Sequence, residues 1–407
     1  MVELDLQFVR SQFPAFSEPS LKGWHFFENA GGSYACGAVV DRLHRYYCQT
    51  KVQPYGPAAA SKQAGDQMDD ARRRWAAYLG VETDEIHFGP STTQNTYVLA
   101  QAFRKGWHEG DEIVVTDQDH EANIGAWRRL AETGIVVRQW SADPQTGELD
   151  PSKLQPLLNE RTRLVACTHC SNVVASPNSI PKIAELVHAA GAKLVVDGVA
   201  YAPHALADLS TLGADVYLFS LYKVYGPHQG LMYVSRATME GLANQGHYFN
   251  DGIASKRIVP AGPDHAQVAA AAGIIDYFEA VDAHHFGADA PEESRRERIS
   301  DLFRTAEQAR LAPLMSYLKK RGVRVLGPTD PDHRMPTVAV ATNKTPEASA
   351  EQLAEHGIMA GASHFYAPRV LERMNVDPER GVLRMSFVHY TSPDDVDALI
   401  QALDRVL

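Results

Sequence analysis

Cysteine is scarce in this chain: Cys36, Cys48, Cys167 and Cys170 are all there is in 407 residues. So few thiols cannot staple a chain of this length, which excludes a disulfide-built scaffold. No thiol at all follows Cys170. Long apolar runs are missing too, and none approaches the roughly 18–20 residues needed to cross a bilayer. Nor is there a positive excess: 39 Lys and Arg stand against 50 Asp and Glu, for a net charge of −11. That balance offers no broad basic surface to a nucleic-acid backbone. The opening Met1-Val2-Glu3-Leu4-Asp5 is acidic and interrupted, unlike a signal peptide. The expected compartment is the cytoplasm, with neither membrane nor nucleic acid as partner.

What is present is ordinary for a large core. Hydrophobic residues make up 44% of the chain and charged ones 22%, and the length suits two or three compact units. Between about Thr83 and Val234, short Val-, Ile- and Leu-rich runs alternate with helical patterns. The predicted strands are Glu112–Thr116, Ile135–Trp140, Leu164–Thr168, Lys193–Val196, Val216–Ser220 and Gly230–Val234. Runs this continuously apolar suit strands buried on both faces of a parallel sheet. Ile183, Leu186, Val187 and Ala190 repeat at helical spacing, and Gly191 stops that helix. The class is α/β, an open sheet covered by helices. After about Pro263 the character changes. Helical patterns over Gln267–Ala280 and Glu292–Lys320 lead to strands at Val323–Leu326, Thr337–Ala341 and Val382–Phe387. A C-terminal helix begins at Ser392-Pro393-Asp394-Asp395, which reads as a capping box. These elements form a smaller α+β part.

Four segments carry chemistry. In Ser220-Leu221-Tyr222-Lys223-Val224-Tyr225-Gly226-Pro227 an apolar strand ends at a lysine. A lysine at the mouth of a buried sheet is desolvated, which lowers its pKa and suits imine formation. Taken alone, a loop lysine is more often a solvated surface group. Asp197 ends the run Lys193–Val196, at the edge where α/β sheets bind ligands. A buried carboxylate there needs a cationic or hydrogen-bonding partner. A protonated pyridine nitrogen would serve, and so would a loop backbone. Ser91-Thr92-Thr93 opens a helix, where backbone N–H groups face an anion, though Ser and Thr are also common caps. His120, just after a strand, is placed to stack on a planar ring or to face solvent.

In this order the segments resemble the class V aminotransferase family of pyridoxal-phosphate enzymes, in its cysteine-desulfurase-like branch. The resemblance runs from Phe26-Phe27-Glu28-Asn29-Ala30-Gly31-Gly32 to Arg384-Met385-Ser386-Phe387. It implies fold type I: a large domain, residues 21–262, with a mostly parallel sheet of the seven-stranded type, and a small domain from residues 1–20 and 263–407. It also implies a homodimer with pyridoxal phosphate as cofactor. By resemblance Lys223 forms the aldimine, Asp197 meets the pyridinium nitrogen, His120 stacks on the ring, and Asn172 lies near the ring hydroxyl. Thr92, Thr93 and Ser220 match phosphate-binding positions. Arg384 matches the arginine that holds a substrate α-carboxylate, and Asn29 lies in the segment approaching it. Strand alternation supports Arg384 independently, since Leu383, Met385 and Phe387 share the other face; a structural salt bridge is the alternative reading of such an arginine.

The chain also departs from the pattern. Tyr222, counted among the cofactor contacts, stands where desulfurases usually have histidine. Ala200 replaces a glutamine that bonds the ring oxygen, and Gly262-Pro263 replaces a Gly-Thr pair that reaches the partner subunit's phosphate. The segment Gly361-Ala362-Ser363-His364-Phe365-Tyr366-Ala367 matches the loop that carries the persulfide-forming cysteine, and it has none. Cys167-x-x-Cys170 invites a metal or redox reading. At a strand end, however, residues i and i+3 point to opposite faces, so two buried structural cysteines are expected there. No metal site is expected.

The leading expectation is an enzyme that binds an amino acid as an external aldimine, with β-elimination first, then aminotransfer and epimerisation. A cofactor-binding regulatory protein is the non-enzymatic alternative.

Overall fold

The computed structural model describes residues 2–407. Seven strands form the main sheet: β1 (Ile86–Gly89), β2 (Glu112–Thr116), β3 (Val136–Trp140), β4 (Thr162–Thr168), β5 (Lys193–Asp197), β6 (Val216–Ser220) and β7 (Gly230–Val234). Their order is β1-β7-β6-β5-β4-β2-β3. Only β7 runs antiparallel to its neighbours, pairing with β1 on one side and β6 on the other. The remaining pairs are parallel. The expected mostly parallel α/β sheet is present.

The strands form here because both faces are covered. β2, β6 and β7 are buried throughout. Val114, Val165, Leu194, Val196, Tyr217 and Phe219 pack into one apolar cluster, while Ile113, Leu164, Val195, Val216 and Leu218 pack into another. Alternate residues of one strand thus serve opposite faces. Helices α1 (Thr92–Arg104) and α2 (Glu121–Arg128) follow β1 and β2, and α3 (Ile180–Ala189) precedes β5. Strand β1 had no prediction of its own. Its four residues are too few to show a period.

A second sheet, of four antiparallel strands, lies in the C-terminal part: β8 (Arg324–Val325), β9 (Thr337–Ala341), β10 (Gly361–Ser363) and β11 (Val382–Ser386), in the order β10-β11-β9-β8. It packs against α4 (Arg295–Lys320) and α5 (Pro393–Val406) through Leu314, Leu318, Val338, Leu383, Met385, Phe387 and Leu399. The capping box at Ser392 and Asp395 is formed as read. The helices His265–Ala270 and Ala272–Phe286 follow the expected 262/263 boundary, yet they bury Ala266, Val268, Ile274 and Phe278 in the larger sheet's cluster. Helical patterning reveals an apolar face but not which sheet receives it.

Candidate active site

The carboxyl ends of β4, β5 and β6 meet the amino end of α1 around a cavity of about 160 Å³. All eight residues singled out as cofactor contacts line it: Thr92, Thr93, His120, Asn172, Asp197, Ser220, Tyr222 and Lys223. They come from five separate stretches of chain, and the sheet brings them together.

Lys223 closes a short turn, Leu221–Lys223, that directly follows β6. The turn is held from behind. Tyr225 adopts a left-handed φ of 63°, and its hydroxyl donates to the Pro203 carbonyl. Lys223 is 7% exposed, and among the described residues its Nζ has no ion-pair partner. Burial, with the Arg384 cation adding to it, lowers its pKa to about 8. A neutral amine is therefore accessible near physiological pH.

Asp197 ends β5 opposite Thr168 of β4 and is 4% exposed. Its carboxyl accepts from the Val199 N–H at 2.8 Å, and among the described residues no cation pairs with it. Burial pushes its pKa up to about 6. The next residue must be glycine, because a Cβ at Gly198 would lie 2.2 Å from the Tyr217 ring.

Two hydroxyls meet at the other end of the cavity, where Thr92 Oγ1 and Ser220 Oγ lie 2.8 Å apart. Ser91 caps α1 by accepting from the Gln94 N–H, so Thr92 and Thr93 occupy its first turn, where free N–H groups favour an anion. His120 caps α2, its Nδ1 accepting from the Ala122 N–H at 2.9 Å. That bond leaves Nε2 as the protonated nitrogen. Burial, with Lys223 and Arg384 nearby, lowers the His120 pKa to about 3, so the ring is neutral. Tyr222 stacks on His228, with centroids 4.7 Å apart and planes 4° apart. Ala200 lines the cavity without a polar group.

Arg384, in β11, reaches the site through the Asn172 carbonyl, 3.4 Å from Nη1. As patterned, Leu383 and Met385 point the other way, into the small-sheet core. Asn29 is 2% exposed, and both ends of its amide are taken. Nδ2 donates to the Ser386 carbonyl, and Oδ1 accepts from Tyr390.

Three residues of the site were not singled out from sequence. Glu28 accepts from Arg384 Nη2 at 2.5 Å. Phe365 lays its ring over the Arg384 guanidinium at 3.7 Å. His228 stacks on Tyr222 at the cavity wall. Glu28 precedes Asn29 directly, and Phe365 lies in the loop segment already compared with the desulfurases. Sequence adjacency was the available signal, but it does not reveal a contact across 356 residues.

The Gly361–Ala367 segment is fixed against the site. The Asn172 amide donates to the Phe365 carbonyl at 2.9 Å. The Glu121 N–H donates to the Tyr366 carbonyl at 2.7 Å, which ties the segment to the helix that His120 caps. Phe365 and Tyr366 both adopt left-handed φ values, 49° and 56°. Such backbone holds only where its surroundings enforce it.

All four cysteines are free. Cys170 departs from the sequence reading, which put it on the strand with Cys167. β4 ends at Thr168, and Cys170 lies beyond it in an isolated bridge to Pro177. It lines the cavity, where burial pushes its thiol up to about 12.

A deep lysine, a buried carboxyl and a helix start with free N–H groups are thus gathered in one cavity. The sequence profile "Aminotransferase class-V" matches residues 25–399. The chain belongs to the class V aminotransferase family. Members of this family are pyridoxal-phosphate-dependent enzymes, and so is this chain. It is 37% identical to the aminotransferase-like protein FGM3 of Gibberella zeae, over 98% of both chains. It is 30% identical to the cysteine desulfurase-like protein ustD of Aspergillus flavus, over 99% of this chain and 91% of that one. Among solved structures, the cysteine desulfurase of Thermococcus onnurineus superposes with a TM-score of 0.85 at 22% identity, covering 100% of this chain and 98% of that one.

The residues present fit that cofactor. Asp197 offers a buried carboxyl to a ring cation, Lys223 an amine with a lowered pKa, and the start of α1 a seat for a phosphate. Asn172 Oδ1 is buried at the cavity wall without a partner among the described residues, a polar group open to a ligand.

Proposed function

We propose that this class V aminotransferase family member is a β-eliminating lyase. It acts on an amino acid and releases the β-substituent without forming a persulfide on the protein. The reading rests on one observation: the Gly361–Ala367 segment has no thiol and is bonded down over the site through Phe365 and Tyr366. A desulfurase-type transfer needs a mobile thiolate there. β-Elimination needs only a base and an electron sink.

In this reading Lys223 would hold the cofactor and, as a free amine, would take the substrate α-proton at Nζ. The cofactor supplies the sink for the electron pair released from Cα. Asp197 keeps the proton on the ring nitrogen, which makes the sink effective. His120 would stack on the ring as a neutral imidazole, Tyr222 lines the cavity beside Lys223, and Asn172 would bond the ring hydroxyl. Thr92, Thr93 and Ser220 hold the phosphate with the N–H groups of α1. Arg384 fixes the substrate carboxylate, and the Asn29 segment closes that end of the site.

With L-cysteine and water the balanced products are pyruvate, ammonia and sulfide. Incubation with L-cysteine, L-cystine and other β-substituted amino acids, followed by product analysis, tests the proposal. Keto acid and ammonia in equal amounts support it. Transfer of the amino group to an added keto acid would make the chain an aminotransferase, and inversion at Cα an epimerase. Either outcome would replace the lyase reading.

We also infer a cytoplasmic homodimer. Tyr55, Tyr248 and Phe249 are 58%, 88% and 68% exposed. Tyr55 and Phe249 line a groove that also includes Gly262 and Pro263, which a second copy would cover. Sedimentation of the purified protein as a monomer would refute the dimer.

A further inference from the structure

Arg384 already has a carboxylate. Its Nη2 donates to Glu28 Oε1 at 2.5 Å, while Nε and Glu28 Oε2 are both buried without a partner among the described residues. A guanidinium holds a carboxylate best through two parallel N–H bonds. Glu28 takes one and leaves the neighbouring Nε unused. The edge suited to a substrate carboxylate is half occupied by the chain itself.

The two side chains differ in freedom. That of Arg384 is 3% exposed and that of Glu28 27%, so the acid has a path to water and the guanidinium has none. The backbone of Glu28 is bridged to Ser386, so only its side chain can move. The inward carboxylate rests on Gly361, which pairs with Arg384 across the small sheet. A Cβ at Gly361 would lie 1.9 Å from Glu28 Oε2, and the three atoms nearest to it all belong to the Glu28 side chain. Glu28 can stay inward because residue 361 has no side chain.

We propose that Glu28 is a carboxylate gate on the substrate-binding arginine. In the free enzyme it neutralises a buried cation that would otherwise stand uncompensated. A substrate carboxylate that takes both Nε and Nη2 displaces it, and the Glu28 side chain turns out to solvent. The exchange trades one charge-assisted bond for two. An amine without a carboxylate gains nothing from it, which makes Glu28 a specificity residue. The proposal rests on the reading of Arg384 as the carboxylate site.

The test is the binding of propionate to the cofactor-loaded protein, followed by ligand-observed NMR and repeated on the apoprotein. Glu28→Gln removes the competing charge, and Gly361→Ala evicts the carboxylate without removing it. Each is expected to tighten propionate roughly 10–150-fold, the scale of one charge-assisted hydrogen bond that no longer has to be exchanged. Arg384→Ala is expected to abolish binding. If Arg384→Ala does so while Glu28→Gln and Gly361→Ala bind propionate no more tightly than wild type, the gate is wrong and the carboxylate site stands. If Arg384→Ala binds as wild type does, the carboxylate site itself is wrong. Should Glu28→Gln fail to fold, Gly361→Ala decides the question alone.

Discussion

Thr92 Oγ1 and Ser220 Oγ share a 2.8 Å hydrogen bond across 128 residues of chain. It joins the first turn of α1 to the last residue of β6, two elements that meet at one end of the cavity. Ser220 in turn pairs with Gly230 of β7, and Gly230 lies directly beneath the start of the helix.

That contact gives the first prediction. A Cβ at Gly230 would lie 2.6 Å from the Thr92 backbone nitrogen and from the Ser91 carbonyl carbon. Backbone cannot yield as a flexible side chain does. Gly230→Ala should therefore push the helix start away from Ser220 and weaken pyridoxal-phosphate affinity at least tenfold, with roughly 1–3 kcal/mol of stability lost to overpacking. Equilibrium dialysis of the cofactor and thermal melting of the apoprotein measure the two effects. Unchanged affinity would mean that this end of the cavity does not hold the phosphate.

Lys223 gives a pH prediction with a definite sign. Only the neutral amine attacks an aldehyde, and burial with the Arg384 cation lowers the Lys223 pKa from 10.5 to about 8. The rate at which apoprotein takes up pyridoxal phosphate should rise with pH and level off above about 8, where an ordinary lysine would still be almost fully protonated. Lys223→Ala should take up no cofactor that borohydride can fix to the chain. A borohydride-fixed label on any other lysine would overturn the assignment.

Asp197 is predicted to act through charge. Among the described residues its carboxyl accepts a hydrogen bond only from the Val199 N–H, and burial holds its pKa near 6 despite the Lys223 charge nearby. A ring cation beside it would favour ionisation. Asp197→Asn keeps the shape and the acceptor but removes the charge. It should melt close to wild type while turnover falls roughly 10²-fold or more, the usual cost of removing a preorganised charge from a reacting centre. Near-normal kcat in that variant would rule out the role.

Much of this was legible in the sequence because it depends on period and punctuation. Buried strands read as unbroken apolar runs, so Glu112–Thr116, Val216–Ser220 and Gly230–Val234 match their observed limits. Lys223 and Asp197 announced themselves by following such runs. The Arg384–Glu28 pair did not, since a strand pattern gives the face a residue takes but not its partner 356 residues away. Nor did the strained Phe365-Tyr366 turn. Aromatic residues are poor signals for left-handed backbone, which glycine or asparagine would have advertised.

The last prediction concerns sulfur. A persulfide on the protein needs a thiolate that can reach the substrate, and none of the four cysteines is suited to that. Cys36 and Cys170 are buried, and their thiols are pushed up to about 12. Cys167 is deeper still, with its pKa raised well above the ordinary value. Cys48 is exposed, but it lies on the helix Gly37–Gln49 and does not line the cavity. A buried neutral thiol is a poor nucleophile, and a helix residue outside the cavity cannot deliver one. Cys170 is the one thiol at the cavity wall, so it is the residue that could defeat the argument. A variant with all four cysteines changed to serine or alanine should therefore release sulfide from L-cysteine, and the small persulfide thiocysteine from L-cystine, within about threefold of the wild-type rate, a margin that allows for small packing losses. Pyruvate and ammonia should accompany either. Stoichiometric alanine from the wild-type protein, lost in the cysteine-free variant and restored by returning Cys170 alone, would show a protein persulfide and sink the lyase reading.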